Sequence, residues 1–364
     1  MMAGPAGAGS FTAGSRVAKK RQPDWPAVAE SFAQRIPHGA LHPAAMRKAE
    51  AEYLREKRRN GKPSRWALAL SGGADSLALL LIFWAEGPGR RGRHFVVLHF
   101  NHRLRGKAAD ADEKFCRDVC AALGVTFVAG CWRAAPQGAS EAEARAARFE
   151  FFQREMRRRK IRLLWLAHQQ DDIAETMLMR LARGSGTAGL AAPRPVQAFG
   201  DGRLHLRPLL TLKKAVIVAA LRQAGAVWRE DASNAGADHF RNRIRTRVLP
   251  AWARAAGRDA VAGAALSRER LEEDDHALDA WLEALAPLGR DRRLDLSVLA
   301  GRPRAITRRA LHRWLLAQRQ PTDLSRQGFE MLLAAVERGR PTRFSLGPRG
   351  FAVIRQGKLL FQRG

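Results

Sequence analysis

Short apolar runs alternate with longer stretches of helical spacing through the first two thirds of the chain. Trp66 to Leu70 is apolar and stops at Ser71-Gly72-Gly73, after which Asp75 to Ile82 reads as a helix start. Phe95 to Phe100 is a second apolar run, Asp110 to Leu123 has helical spacing, and Thr126 to Ala129 reads as a third strand. Ser140 to Lys160 is a long charged helix, Leu163 to Ala167 a buried strand, and Asp171 to Arg183 and Lys213 to Ala224 are helices. Strands alternating with helices predict a doubly wound, parallel α/β sheet. The flanks differ. Pro26 to Arg59 has a helical pattern broken at Gly61-Lys62-Pro63-Ser64, and residues 1–14, nearly all Gly, Ala, Pro and Ser, are expected to be disordered. Ala251 to Ala286 is rich in Ala, Arg and acids at helical spacing. From about Asp295 a small, mostly helical domain is expected, closing on strands at Thr342–Leu346, Ala352–Ile354 and Leu359–Phe361.

The charge adds a partner to this picture. Of 364 residues, 64 are Lys or Arg and 35 are Asp or Glu, a formal net charge of +29. Residues 1–65 have 13 basic against 5 acidic groups, residues 66–255 have 31 against 17, and residues 256–364 have 20 against 13. The excess is spread along the chain, and a polyanion such as nucleic acid is the expected partner. Arg supplies 53 of the basic residues; a bias toward Arg over Lys explains that choice but not the excess over carboxylates. No apolar run is long enough for a membrane helix, and Met1 to Arg21 lacks the apolar segment of a secretory signal. Cys116, Cys120 and Cys131 form no CxxC pair, which favours small core residues in a reducing, cytoplasmic compartment.

Two segments carry candidate chemistry. Ser71, Gly72, Gly73, Ala74, Asp75 and Ser76 lie between a strand and a helix. Two glycines admit a phosphate close to the backbone, and hydroxyls and amides can donate to its oxygens. A Walker loop needs a Lys after the glycines, and none stands there. This pattern points to a pyrophosphate loop that splits ATP at the α-phosphate; the bland alternative is a tight turn without a ligand. The second segment is His168-Gln169-Gln170-Asp171-Asp172-Ile173-Ala174-Glu175. Spacings of four and three place His168, Asp172 and Glu175 on one helix face if the helix starts early enough. Strand carboxyl ends are where open α/β sheets bind ligands, and carboxylates there suit Mg²⁺ or an ammonium group. The bland alternative is a helix cap. Gly184 to Gly189 matches GxGxxG but follows a helix, so it is not expected to bind a dinucleotide.

Together these segments resemble the tRNA(Ile)-lysidine synthetases of the PP-loop ATP pyrophosphatase superfamily. The matching stretches are Ser71–Ser76, His99–Arg105, Glu143–Phe149, Ala167–Leu190 and Arg241–Arg245, within about residues 65–255. The resemblance implies a ligase that adenylates C2 of the wobble cytidine in the CAU-anticodon isoleucine tRNA. The ε-amine of L-lysine then displaces AMP. It implies ATP on Ser71–Ser76, Mg²⁺ near Asp75 and Asp172, and an ATP and lysine pocket served by His168, Asp172 and Glu175. Arg145 and Arg148 would steady phosphate charge, and Arg243 and Arg245 would contact the tRNA. It divides the chain into a basic, partly disordered extension (1–64), a catalytic domain (65–255), and a helical linker with a small tRNA-binding domain (256–364). A homodimer stays open. Residues 1–64 have no counterpart; a basic RNA-binding arm and a translation start at Met46 are the two readings. The rivals are another PP-loop tRNA enzyme, such as a cytidine thiolase, and a non-catalytic basic RNA-binding protein.

Overall fold

A computed structural model describes residues 23–61, 65–87, 94–133, 136, 138–230, 240–318, 324–348 and 350–364. The stretch 1–14 lies outside the described residues. In chain order the elements begin with helices α1 (Trp25–Arg35) and α2 (Pro43–Asn60), then β1 (Trp66–Ala69), α3 (Ala74–Glu86), β2 (Phe95–Asn101), α4 (Lys107–Ala122), β3 (Thr126–Cys131), α5 (Glu141–Arg158) and β4 (Leu163–Trp165). Next come α6 (Gln170–Leu181), α7 (Thr187–Leu190), β5 (Val196–Ala198), β6 (Leu204–Leu206) and α8 (Lys214–Gln223). The remainder is α9 (Phe240–Arg243), α10 (Leu249–Ala256), α11 (Ala260–Leu285), β7 (Leu294–Asp295), α12 (Arg304–Leu316), α13 (Arg326–Arg338), β8 (Thr342–Ser345), β9 (Gly350–Arg355) and β10 (Lys358–Arg363).

The chain forms two compact units. One is Met1–Ala167 with Val196–Ala232; the other is His168–Pro195 with Ser233–Gly364. Neither is continuous in sequence, so this division differs from one at residues 65 and 256.

The first unit contains the expected parallel sheet, in the order β3-β2-β1-β4-β6-β5, with only β5 running antiparallel. Successive strand residues point to opposite faces, and each face has its own core. Trp66, Leu68, Val97 and Trp165 pack with α1, α3 and α8, whereas Ala67, Val96, Leu98 and Leu164 pack with Phe151, Phe152 and Met156 of α5. Helix α3 is apolar nearly all round, and Leu77 to Ile82 are fully buried. The helical pattern from Pro26 resolves into two helices, because Pro37 and Pro43 interrupt it around a short 3₁₀ turn. Trp25 and Phe32 of α1 are buried in the core of this unit. The β5–β6 hairpin was not expected. Its strands are three residues each, too short for periodicity to register; the turn around Gly200-Asp201-Gly202 was the available signal.

Among the described residues, the second unit is helical apart from one antiparallel sheet, β7-β10-β9-β8. The helical stretch expected from Ala251 to Ala286 breaks at Gly257, which takes a left-handed conformation (φ 58°) between α10 and α11.

Candidate functional site

The candidate residues fall into one group per unit. In the first, the loop leaves β1 and enters α3. Gly72 has φ 91°, a region that disfavours side chains, and a Cβ there would sit 3.2 Å from Cys116 Sγ. The Arg229 backbone N–H donates to Gly72 O (2.9 Å), fixing the turn from outside. Ser76 is buried and braces the loop. Its hydroxyl accepts from Ser71 N (3.1 Å), donates to Gly73 O (3.0 Å), and lies 3.0 Å from the Ser71 hydroxyl. Ser76 therefore shapes the loop from within, while Ser71 is exposed. No side chain caps α3 at Gly73. Its opening amides are suited to an anion.

Two cations beside this loop were absent from the sequence reading. Lys214 Nζ donates to Asp75 Oδ2 (2.6 Å), brought there by the start of α8. Arg229 and Arg105 both donate to the buried Asp112 (2.7 Å each). Strand β2 supplies further support. The His99 ring bonds to Leu70 O (2.9 Å), and burial holds its pKa below the ordinary value despite that bond. Asn101 donates to Asp110 (3.0 Å) and accepts from Arg103 N (2.9 Å).

Arg145 and Arg148 lie on α5, begun by a Ser140–Glu143 capping box, and share one ring. Their guanidinium carbons stand 4.6 and 5.7 Å from the Phe149 centroid. Phe149 stacks on His205 (5.4 Å), which also meets Phe199 (4.5 Å), itself covered by Arg203 (5.0 Å). Burial pushes the His205 pKa down to about 3, with Arg207, Arg203 and Arg145 adding repulsion, so this ring is neutral. Burial and Arg145 likewise lower Arg207 to about 10.

The second unit contains the acidic segment. Helix α6 starts at Gln170 with Gln169 as its cap, so His168 precedes the helix and does not share the face of Asp172 and Glu175. The capping box explains the late start: Gln169 Oε1 accepts from Asp171 N (2.6 Å), and Asp172 Oδ2 accepts from Gln169 N (2.9 Å). Asp172 thus does act as a cap. Its other oxygen accepts from Arg241 (2.5 Å). Glu175 is 1% exposed and takes Arg241 (2.7 Å) and Arg245 (2.6 and 3.0 Å). Burial pulls the Arg241 pKa down, but Asp172 and Glu175 more than offset it, and the net direction is up. The two arginines reach one carboxylate because they are four residues apart where α9 runs into a π-helical turn, Ile244–Val248. Arg245, expected to face tRNA, is therefore anchored on Glu175. Arg243 stays exposed, 5.8 Å from the Phe240 ring. Arg241 was missed, although an RNRIR stretch with acids upstream allowed for it.

The GSGTAG stretch leads into the four-residue α7 and binds to helices. Asp275 of α11, 2% exposed, accepts from Arg194, Arg309 and Thr187 (3.3 Å for Thr187). Cys116 and Cys120 are not placed for a thiol-based reaction. Cys116 and Cys120 are buried, which raises both thiols, Cys120 to about 12.

A parallel sheet whose first strand ends in Ser-Gly-Gly-Ala-Asp-Ser defines a PP-loop protein, and a family model described as a PP-loop domain matches residues 46–252. Among curated relatives, the chain is 42% identical to the tRNA(Ile)-lysidine synthase of Solibacter usitatus over 51% of its own length and 40% of that protein. It is 37% identical to that of Chlorobaculum tepidum over 56% and 62%. It is 30% identical to that of Bacillus subtilis over 85% and 67%. The chain belongs to the tRNA(Ile)-lysidine synthase family. It spans 40% and 62% of the lengths of the first two relatives.

Proposed function

We propose that this chain is an ATP-dependent ligase that joins L-lysine to C2 of the wobble cytidine in isoleucine tRNA with a CAU anticodon. The observation that carries the reading is the braced Ser71–Ser76 loop, with Asp75 at the start of α3 and no lysine within the loop. In the proposed sequence, cytidine O2 attacks the α-phosphorus of ATP, the bond to the β-phosphate oxygen breaks, and pyrophosphate leaves. The neutral ε-amine of lysine then attacks C2, the C2–O bond breaks, and AMP departs with the oxygen. The amine must lose a proton first, which calls for a base or a desolvated site.

Mg²⁺, lysine and action in the cytoplasm belong to the same proposal. Asp75, partly exposed at the loop, fits a Mg²⁺ that travels with phosphates, since such an ion needs only one or two protein carboxylates. Asp172 fits less well, because both its oxygens already accept hydrogen bonds. When bound, Mg²⁺ would offset phosphate charge. Arg145 and Arg148 are proposed to steady the α-phosphate. His168 and Asp172 are assigned to the lysine pocket, with Glu175 acting by fixing Arg241 and Arg245. Residues 65–255 are the proposed catalytic region, with Arg243 near its end as a proposed tRNA contact, and 256–364 are the proposed linker and tRNA-binding region. Among the described residues, no helix is long and apolar enough to cross a membrane.

The test is incubation with ATP, labelled lysine and CAU-anticodon isoleucine tRNA. Label should enter the tRNA with one AMP formed per lysine. Absence of label from a folded, ATP-binding preparation would refute the proposal. Asp75→Ala should abolish incorporation while leaving tRNA binding largely intact.

A further inference from the structure

We propose that the edge of the parallel sheet where β1, β4 and β6 begin is a docking surface for the phosphodiester backbone of RNA, separate from the site at the other end of β1. The strand register carries the observation. Trp66 pairs with Leu163 and Leu163 with Leu204, so the residues just before them, Arg65, Arg162 and Arg203, stand side by side on three neighbouring strands. At the usual strand spacing they span roughly 10 Å. Trp66, Leu163 and Leu204 face the core shared with α1, α3 and α8, so alternation turns the three arginines toward the α5 side. The end of α5 and the turn after it add Arg157, Arg158 and Lys160 to the same edge.

Two features set this cluster apart from a solvated run of charge. Arg162 is held in place: its Nε donates to Gly202 O (2.9 Å), and a Cβ on Gly202 (φ 80°) would sit 2.8 Å from its Nη2. Lys160 follows α5 in the left-handed conformation (φ 57°), a position that glycine fills at lower cost. The chain puts an exposed cation there instead. Asp201 takes Arg203 (2.6 Å) and Glu155 takes Arg158 (2.9 Å), and Arg65, Arg157 and Lys160 are exposed to solvent. A row of such cations suits successive phosphates, contacts that position an RNA without reading its sequence. Arg65 precedes Ser71 by six residues along β1, roughly 20 Å of extended chain, so an RNA docked on this edge leaves the phosphate loop open. RNA is the polyanion that fits a chain of net charge +29 in the tRNA(Ile)-lysidine synthase family.

The probe is a short labelled RNA duplex with no anticodon loop, titrated with the full chain by fluorescence anisotropy across a salt series. Combining Arg65→Gln, Arg157→Gln and Lys160→Gly should weaken binding by about tenfold or more at about 0.1 M salt, and should make the dependence of log affinity on log salt shallower by roughly two to three. Lys160→Gly alone should weaken binding without lowering the urea midpoint, because glycine suits the left-handed position. It decides the matter if the triple variant fails to fold. An equal loss of charge elsewhere, through Arg47→Gln, Arg254→Gln and Arg258→Gln, should cost far less. Equal weakening by the two triple variants would show attraction to the net charge alone and overturn the inference. Unchanged RNA affinity in the first triple variant would also overturn it, and loss of binding to phosphatidylserine vesicles in its place would assign the edge to a membrane surface. Lysine incorporation is a separate readout: its absence from the wild type would refute the proposed function and leave this surface standing.

Discussion

Gly72 shows how little freedom the loop has. Its φ of 91° and the 3.2 Å approach of Cys116 Sγ leave no room for a methyl group without adjustment. Gly72→Ala should destabilise the protein by roughly 1–3 kcal/mol, read from urea unfolding, and weaken ATP binding beyond that loss. His205 makes a pH prediction. Its folded pKa, about 3, lies below its ordinary 6.5, so the unfolded chain binds more protons as pH falls below about 6.5. Stability from this site is full above that value and declines as pH drops toward about 3. Unfolding midpoints at pH 7 and pH 5 should differ less in His205→Phe than in the wild type; an unchanged difference would refute a buried neutral ring. At this scale the sequence was informative where chemistry is local. Ser71–Ser76 could be read directly, because strand, glycines and helix are contiguous. Lys214, 139 residues from Asp75, could not, because only the sheet topology brings them together.

Helix α6 shows the same divide one level up. Its existence was legible from composition, but its first residue was not. Gln169 and Asp172 cap each other, which starts the helix two residues after His168 and removes the histidine from the acidic face. The acidic face looked open to a ligand because its partners, Arg241 and Arg245, lie some seventy residues on. Glu175→Gln should destabilise the protein by roughly 3–5 kcal/mol, since it leaves two guanidiniums over a neutral amide in a buried setting. Thermal unfolding measures the loss, and Glu175→Gln combined with Arg241→Gln should recover part of it. If the single variant is as stable as the wild type, Glu175 is not the anchor described above. The short β5–β6 hairpin marks the other limit: three-residue strands have too few positions to show a period.

Over the whole molecule, the net charge of +29 is spread through every part of the chain. The proposed binding to tRNA should therefore weaken steeply with salt. A footprint of about six phosphates predicts roughly a thousandfold loss between about 50 and 200 mM monovalent salt, and a flat response would exclude a backbone-dominated interface. The interleaved path of the chain has a consequence for biosynthesis. As the chain emerges from the ribosome, β1 to β4 appear first, then the whole of His168–Pro195, and only then β6, the strand that hydrogen-bonds to β4. Until Leu206 has been made, β4 is an exposed sheet edge with open backbone donors and acceptors, a template for pairing with another nascent chain. Fragments for expression should then run past α8. A truncation at Ala167 should aggregate, although it contains the entire phosphate loop.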